Sequence, residues 1–302
     1  MKHLSVQKVN KAFESVHAVK DLTFSVESGK VFGLLGPNGA GKTTTIRMIM
    51  QILLPDSGSI EIFGKSLTPS LTDRIGYMPE ERGLYKKMKV GEAVVFFGEI
   101  KGMPHAQAAH ETKQWLQKLD LAEWAEKKVE ELSKGMQQKV QFICTVLHKP
   151  ELLILDEPFS GLDPVNVNSL KDAMLEMKNA GTTIIFSTHQ MEQVEKLCDS
   201  ICLINKGEAV LNGPLSDVKA KFGKGRIQMR YEGNAAFLKD SSLVSGSDDY
   251  GQYVEIRPAA GAAPQDILKR AVGEVTVTHF EIAEPSLNEI FIHLVGNKGG
   301  GQ

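Results

Sequence analysis

Cysteine is scarce: the 302 residues hold three, Cys144, Cys198 and Cys202. Three thiols cannot build a disulfide framework, and their spacing matches no paired CxxC metal site, which leaves reduced packing thiols. Neither sign of charge is in excess, with 35 Lys and Arg against 37 Asp and Glu. A chain-wide basic footprint is therefore absent, and nucleic acid is not the expected partner. No apolar run approaches the roughly 18 to 20 residues needed to cross a bilayer. Met1-Lys2-His3 leads into alternating residues instead of an apolar signal core. The expectation is a cytosolic α/β-type chain that does not itself span a membrane. At about 150 residues per domain, its length suggests two domains. Hydrophobic residues, 42% of the total, suffice for a sizeable core.

The hydropathy pattern is ordered along the chain. Leu4–Val9 and Leu22–Val26 alternate as half-buried strands do, with Glu27-Ser28-Gly29-Lys30 as a turn. Val31-Phe32-Gly33-Leu34-Leu35 is a continuous apolar run, the mark of a strand buried on both faces. It ends in a glycine-rich stretch, after which Thr44–Leu53 has helical spacing. Further strands are predicted at Ser59–Phe63 and Arg74–Met78. From about Lys89 to His148 the spacing is helical, with Phe96, Phe97, Ile100, Trp115, Leu116 and Leu119 on apolar stripes. Glu151–Asp156 returns to a buried strand. A helix over Val165–Lys178, a strand over Thr182–Ser187, a helix over Gln190–Leu197 and a hairpin near Ile201–Leu211 turning at Lys206-Gly207 follow. The character changes at Phe222-Gly223-Lys224-Gly225. Beyond it, short strands at Ile227–Tyr231, Tyr253–Arg257 and Val275–Ile282 with two short helices suggest a small α+β module. Gly299-Gly300-Gly301-Gln302 reads as a frayed tail. There is no internal repeat and no second glycine-rich loop.

Gly36-Pro37-Asn38-Gly39-Ala40-Gly41-Lys42-Thr43 fits G-x-x-x-x-G-K-[ST] between a predicted strand and a predicted helix. In that setting successive backbone N–H groups and the helix N-terminus cradle phosphates. Lys42 would neutralise the β/γ oxygens and the Thr43 hydroxyl would ligate Mg2+. Asp156 and Glu157 close the strand Leu152–Leu155, where a carboxylate faces the phosphate crevice of an α/β sheet. In isolation such a pair is more often a solvated turn. Beside a phosphate loop, Asp156 would hold Mg2+ directly or through water, and Glu157 would orient and polarise the attacking water. Leu132-Ser133-Lys134-Gly135-Met136-Gln137-Gln138 opens another predicted helix with Ser133 at the N-cap, either a second anion site or simply a capped helix.

Together these residues resemble the ATP-binding subunit of an ATP-binding cassette (ABC) transporter. Gly36–Thr43 resembles the Walker A loop, Leu132–Gln138 the cassette signature and Leu152–Glu157 the Walker B strand. Ser160-Gly161-Leu162-Asp163 resembles the D-loop, and Ser187-Thr188-His189 the segment with the switch histidine; all five stand in the family's order. The resemblance covers about residues 2–222. It implies an α/β P-loop NTPase cassette with a mixed sheet core, an antiparallel β-subdomain and a helical subdomain at about 89–148. It also implies two ATP molecules with Mg2+ held between cassettes that pair head-to-tail. Lys42, Glu157 and His189 would then be catalytic, His189 bonding the γ-phosphate. Gly36, Pro37, Asn38, Gly39, Ala40, Gly41, Thr43 and Thr44 would hold the phosphates. Ser133 and Gly135 would reach the γ-phosphate on the second subunit, and Asp163 would link the two sites. Phe13 stands where the family's adenine-stacking aromatic stands; the alternative is a core phenylalanine at a strand edge.

The match has departures. Glu80, in Tyr77-Met78-Pro79-Glu80, occupies the lid position that is glutamine in most of the family. A carboxylate there can bind Mg2+ or water while adding a charge. The run Tyr77–Tyr85 resembles ABC-2-type exporters, notably a sodium-efflux-like subgroup. Lys134 and Met136 replace the commoner signature Gly and Gln without removing Ser133 or Gly135. Lys86, Lys87 and Lys89 form either a solvated face or a contact with the membrane subunit. His3, His17, His105, His110, His148, His279 and His293 show no ligand-like grouping, and Met48 and Met50 suit packing. Residues 223–302 lack a catalytic constellation and resemble the accessory tail of many ABC-2-type ATPases, serving dimer support, regulation or plain packing.

The expected function is an ATPase that drives export through a separate integral-membrane permease, at the cytoplasmic face of the membrane, with a second ATP-binding subunit. Sodium ions, drugs and small amphiphiles are the candidate cargoes. A soluble ABC ATPase without a transport role is the alternative, and a module that binds ATP without turnover is a third, against which Glu157 and His189 argue.

Overall fold

The computed structural model describes residues 1–14, 16–66, 68–81, 83–222, 226–283 and 285–296. Gly223 to Gly225 and the tail Gly299–Gln302, singled out above, lie outside them, as does Arg82 within the run Tyr77–Tyr85. The chain forms two compact units, Met1–Leu215 and Ser216–Gln302.

In the first unit the strands β1 (Lys2–Phe13) and β2 (Val16–Glu27) form a long antiparallel hairpin, and β3 (Val31–Leu35) leads into α1 (Lys42–Ile49). Then come β4 (Ser57–Ile62), the short α2 (Pro69–Thr72), β5 (Ile75–Met78), and the helices α3 (Val90–Ile100), α4 (His105–Lys118) and α5 (Lys134–Val146). The remainder alternates: β6 (Leu152–Asp156), α6 (Pro164–Asn179), β7 (Thr183–Thr188), α7 (Met191–Leu197), β8 (Ser200–Asn205), β9 (Glu208–Pro214) and α8 (Leu215–Lys221), the last crossing into the second unit.

Two sheets result. β2-β1-β4 is antiparallel, and β5-β6-β7-β3-β8-β9 is parallel except for β9. Every residue of β3, β6 and β7 is buried, which explains why those strands read as unbroken apolar runs. β1 and β2 instead alternate, because one face meets the core and the other meets solvent. Phe24 and Phe32 stack at 5.1 Å between ring centroids, joining the antiparallel sheet to the parallel one in a common core with Ile46, Met48 and Ile154. α3, α4 and α5 pack together as a helical subdomain. This is the mixed α/β architecture expected of the cassette.

Three loops leave the C-terminal ends of adjacent strands. In the order β6-β7-β3 they are the loop with Glu157, the turn with His189 and the glycine-rich loop; Asp156 pairs with Ser187 and Leu35 with Thr188 in register. Ligand sites in open α/β sheets lie at these ends.

The second unit has β10 (Arg226–Glu232), β11 (Val244–Asp249), β12 (Val254–Pro258), α9 (Pro264–Glu274), β13 (Thr276–Ala283) and α10 (Leu287–Gly296). Its antiparallel sheet runs β11-β12-β10-β13 over a core of Ile227, Phe237, Ile256 and Ile267. Arg226 Nη1 clasps Glu255 at 2.7 Å and Glu289 at 3.0 Å, tying two strands to α10.

Several elements differ from the sequence reading. α1 begins at Lys42, not Thr44, and the opening hairpin runs well beyond its alternating centre. β11, Val244-Ser245-Gly246-Ser247-Asp248-Asp249, was not predicted: its Ser, Gly and Asp content is that of a turn, and it is a strand because β12 pairs with it.

Candidate active site

Gly36 and Gly41 set the shape of the glycine-rich loop. At Gly36, φ is 151°, and a Cβ would lie 2.2 Å from the Ile204 carbonyl oxygen. At Gly41, φ is 109°, and a Cβ would lie 2.5 Å from the Ala18 carbonyl oxygen. No other residue fits either place. Gly41 is also the N-cap of α1, so the first N–H groups of that helix open onto the loop without a side-chain cap.

The loop borders a cavity of about 760 Å3. Asn38, Gly39, Gly41, Lys42, Thr43 and Thr44 line one side, and Glu80 and Glu157 reach it from the loops after β5 and β6. β2 supplies Val16, His17, Ala18 and Lys20, and the β8–β9 turn supplies Lys206 and Gly207. Lys206 and Gly207 have φ of 50° and 83°, the tight twisted hairpin that the Lys-Gly pair suggested. Gly207 N donates to the Ala40 oxygen at 3.0 Å, which locks this turn to the phosphate loop. Lys206, Lys20 and His17 were not among the expected site residues. β8 lies beside β3, and only that strand order brings a turn so distant in sequence to the loop.

Lys42 Nζ donates to the carbonyl oxygens of Gly36 at 2.9 Å and Pro37 at 3.3 Å, and lies 3.3 Å from Glu157 Oε1. Glu157 itself has φ of 48°, a left-handed conformation that costs a non-glycine residue about 1 to 3 kcal/mol. Its backbone N–H is held by Ser187 Oγ at 3.0 Å. His189 Nδ1 is 3.1 and 3.2 Å from the two carboxylate oxygens of Glu157. A carboxylate only accepts, so Nδ1 carries the proton and Nε2 points elsewhere.

Asp156 sits beneath these groups with no solvent exposure. Ser187 Oγ donates to its Oδ1, and Thr43 is a second hydrogen-bonding neighbour. Burial pushes its carboxyl above the usual carboxylate range, against the lowering effect of those hydroxyls. Its Oδ2 is buried and has no hydrogen-bond partner. Among the described residues, no group of three or more His, Cys, Asp or Glu forms a ready-made metal cage. Mg2+ binds through one or two carboxylates with substrate phosphates and waters. An unsatisfied carboxylate oxygen beside Thr43 is a fitting ligand, directly or through water.

Ser133, Gly135 and Asp163 do not line this cavity. Ser133 caps α5, accepting from Met136 N at 3.3 Å. Asp163 caps α6, accepting from the N–H groups of Val165 and Asn166 at 3.0 Å each, which holds its carboxyl below the usual range. A Cβ on Gly135 would meet Leu162 at 3.4 Å and Asn166 at 3.8 Å, so these two helix starts are neighbours. Phe13 stands at the end of β1, 45% exposed, with Lys11 Nζ 5.6 Å from its ring centre. It is not a core residue in this fold.

The ABC transporter family profile matches residues 19–160, and that of the ATP-binding protein DrrA1-3-like C-terminal domain matches residues 213–295. The chain is 45% identical over 293 residues to the uncharacterized ABC transporter ATP-binding protein YhaQ of Bacillus subtilis (strain 168), covering 97% of this chain and 98% of the other. It is 34% identical over 305 residues to the linearmycin resistance ATP-binding protein LnrL of the same organism, covering 97% and 98%. A solved structure of an ATP-binding subunit of an ABC transporter superposes with a TM-score of 0.68 at 33% identity, over 73% of this chain and 93% of that one. The glycine-rich loop, the acidic pair at the end of β6 and these likenesses place the chain in the family of ABC transporter ATP-binding subunits with a DrrA-like C-terminal domain, which hydrolyse ATP to power transport.

Proposed function

We propose that the chain is the ATP-hydrolysing subunit of an ABC-2-type exporter, held at the cytoplasmic face of the membrane by a permease made from another chain. The observation that carries this reading is the convergence of Lys42, Glu157 and Glu80 on the cavity beside the glycine-rich loop. Among the described residues no helix is long and apolar enough to cross a membrane, and this reading assigns the membrane path to the permease. In this reading residues 1–222 bind the nucleotide and 223–302 are an accessory domain.

The phosphates of ATP lie against the N–H groups of residues 36 to 44, and the γ-phosphate takes Lys42 from Glu157. Glu157, released from that pair and steadied by His189, holds a water in line with the γ-phosphorus and draws its proton. Thr43, Asp156 and Glu80 would hold Mg2+, which when bound offsets charge on the β and γ oxygens. Ser133 and Gly135 would complete the site of a second copy or close relative across a head-to-tail dimer, with Asp163 at the seam. Phe13, with its exposed ring, would stack on adenine. ATP closes the pair and hydrolysis reopens it.

Resistance to linearmycin, which the name of the relative LnrL states, supports a drug or small amphiphile as cargo, with sodium ions the further candidate. Affinity capture of the tagged protein from detergent-solubilised native membranes tests the partner. A multi-span membrane protein recovered in near-equal amount supports the exporter. Recovery of ribosomal, DNA-repair or only soluble proteins overturns it in favour of a cassette ATPase without a transport role.

A further inference from the structure

α5 aims two side-chain amides at the loops that carry the acidic residues of the cavity. Gln138 and Gln141 are three residues apart on a helix and so share a face. Both are almost fully buried. Gln138 Nε2 donates to the Pro158 carbonyl oxygen at 3.1 Å, directly after Glu157. Gln141 Nε2 donates to the carbonyl oxygens of Pro79 at 3.0 Å and Glu81 at 3.2 Å, the two residues that flank Glu80. Both protons of one amide are thus spent on the main chain on either side of a single cavity residue. The orientation of that amide is fixed, because the flipped form would set Oε1 against two carbonyl oxygens.

This arrangement leaves Gln141 Oε1 buried without a hydrogen-bond partner. An unmade buried acceptor lowers stability, so an apolar side chain of the same length would serve packing at least as well. What an apolar side chain could not do is hold the loop. Pro79 brings no N–H of its own to that segment, which makes the carbonyl grip from α5 a main restraint on it.

We propose that Gln141 is a positioning residue: it grips the lid loop at Pro79 and Glu81, keeps Glu80 at the nucleotide cavity, and joins the lid to the helix that begins at Ser133. Movement at the Ser133 end of α5, the end that would meet a second subunit, is passed to the lid through this amide, and the reverse. The metal-side consequence rests on the reading of Glu80 given above; the grip itself does not.

Gln141→Met keeps the length, removes both donors and removes the orphaned acceptor. Amide hydrogen exchange in the peptide spanning residues 75–85 should speed up about tenfold, while Tm stays within about 3 °C of the parent or rises. The Mg2+ concentration for half-maximal ATP hydrolysis should rise about tenfold, as when a group supporting a metal ligand is lost, with KM for ATP at saturating Mg2+ little changed. Glu80→Ala alone should raise the same Mg2+ requirement, and adding Gln141→Met to it should raise it no further. Unchanged exchange in residues 75–85 overturns the proposal whatever the kinetics show. A Mg2+ requirement unmoved by Glu80→Ala overturns the reading of Glu80 instead, and exchange then decides the grip by itself.

Discussion

Lys42 Nζ stands 3.3 Å from Glu157 Oε1, and both side chains are almost sealed from solvent. The two groups, to which the proposed function gives the opposite tasks of holding phosphate and activating water, therefore neutralise one another. In the proposed reading, a γ-phosphate would compete with Glu157 for the same ammonium, and its binding would free the carboxylate. Glu157 does not drift away, because its backbone is pinned to Ser187 and its carboxylate to His189.

Breaking this pair from one side strands a charge. Lys42→Met should lower the unfolding free energy by about 2 kcal/mol, less than a fully dry pair would cost because the cavity admits water. Lys42→Met combined with Glu157→Gln should lose less than the sum of the two single changes, by about 1 kcal/mol or more. Urea unfolding of the four proteins without nucleotide measures the coupling, and strict additivity would show that the contact is energetically idle.

Glu157→Gln alone separates binding from turnover. The amide keeps an acceptor for Lys42 but cannot take a proton from water. Hydrolysis should fall by about a thousandfold while ATP binding persists, and the variant should accumulate as an ATP-bound dimer. Phosphate release and size exclusion at saturating ATP read the two effects. A monomer that still turns over at the parent rate would remove Glu157 from its role.

Much of this site is legible in the chain itself, since Lys42, Thr43, Asp156 and Glu157 belong to local patterns whose chemistry is the pattern. Strands buried on both faces announce themselves as apolar runs, and the helix start at Ser133 announces itself as a cap. What escapes is anything that strand order decides. Lys206 reaches the phosphate loop only because β8 lies beside β3, and Gln141 looks like any polar position on an amphipathic helix until the lid is seen against it. β11 escapes for a different reason: its strand state comes from β12, not from its own residues.

Asp156 has one oxygen satisfied by Ser187 and one buried without a partner. Asp156→Asn keeps the shape and the Ser187 contact but removes the negative charge. Stability should change by no more than about 1 kcal/mol, because burial already disfavours the ionised form. Mg2+-dependent hydrolysis should fall about a hundredfold or more, and Mg2+ should no longer tighten binding of a fluorescent ATP analogue. Parent-like tightening by Mg2+ in Asp156→Asn would take the metal away from this carboxylate.

His148 links the fold to pH. Its Nδ1 is buried without a partner, and its Nε2 is 3.3 Å from the Ile75 carbonyl oxygen, to which Lys101 Nζ also donates. Burial, with Lys101 as a second cause, lowers its pKa to about 4. In the unfolded chain the same imidazole titrates near its ordinary value of about 6.5. Below that pH the unfolded state takes up a proton that the native state refuses, so stability falls as pH drops from about 6.5 to about 4 and this contribution is flat below. Its size is about 2 kcal/mol after discounting for the ring's partial contact with solvent. His148→Gln should remove that slope while leaving the acid response of the carboxylates, and Lys101→Met should narrow the window by letting the His148 pKa rise. Urea unfolding at about pH 7, 5.5 and 4 decides it: an acid loss equal in parent and His148→Gln would mean that the neutral imidazole contributes nothing to the pH dependence.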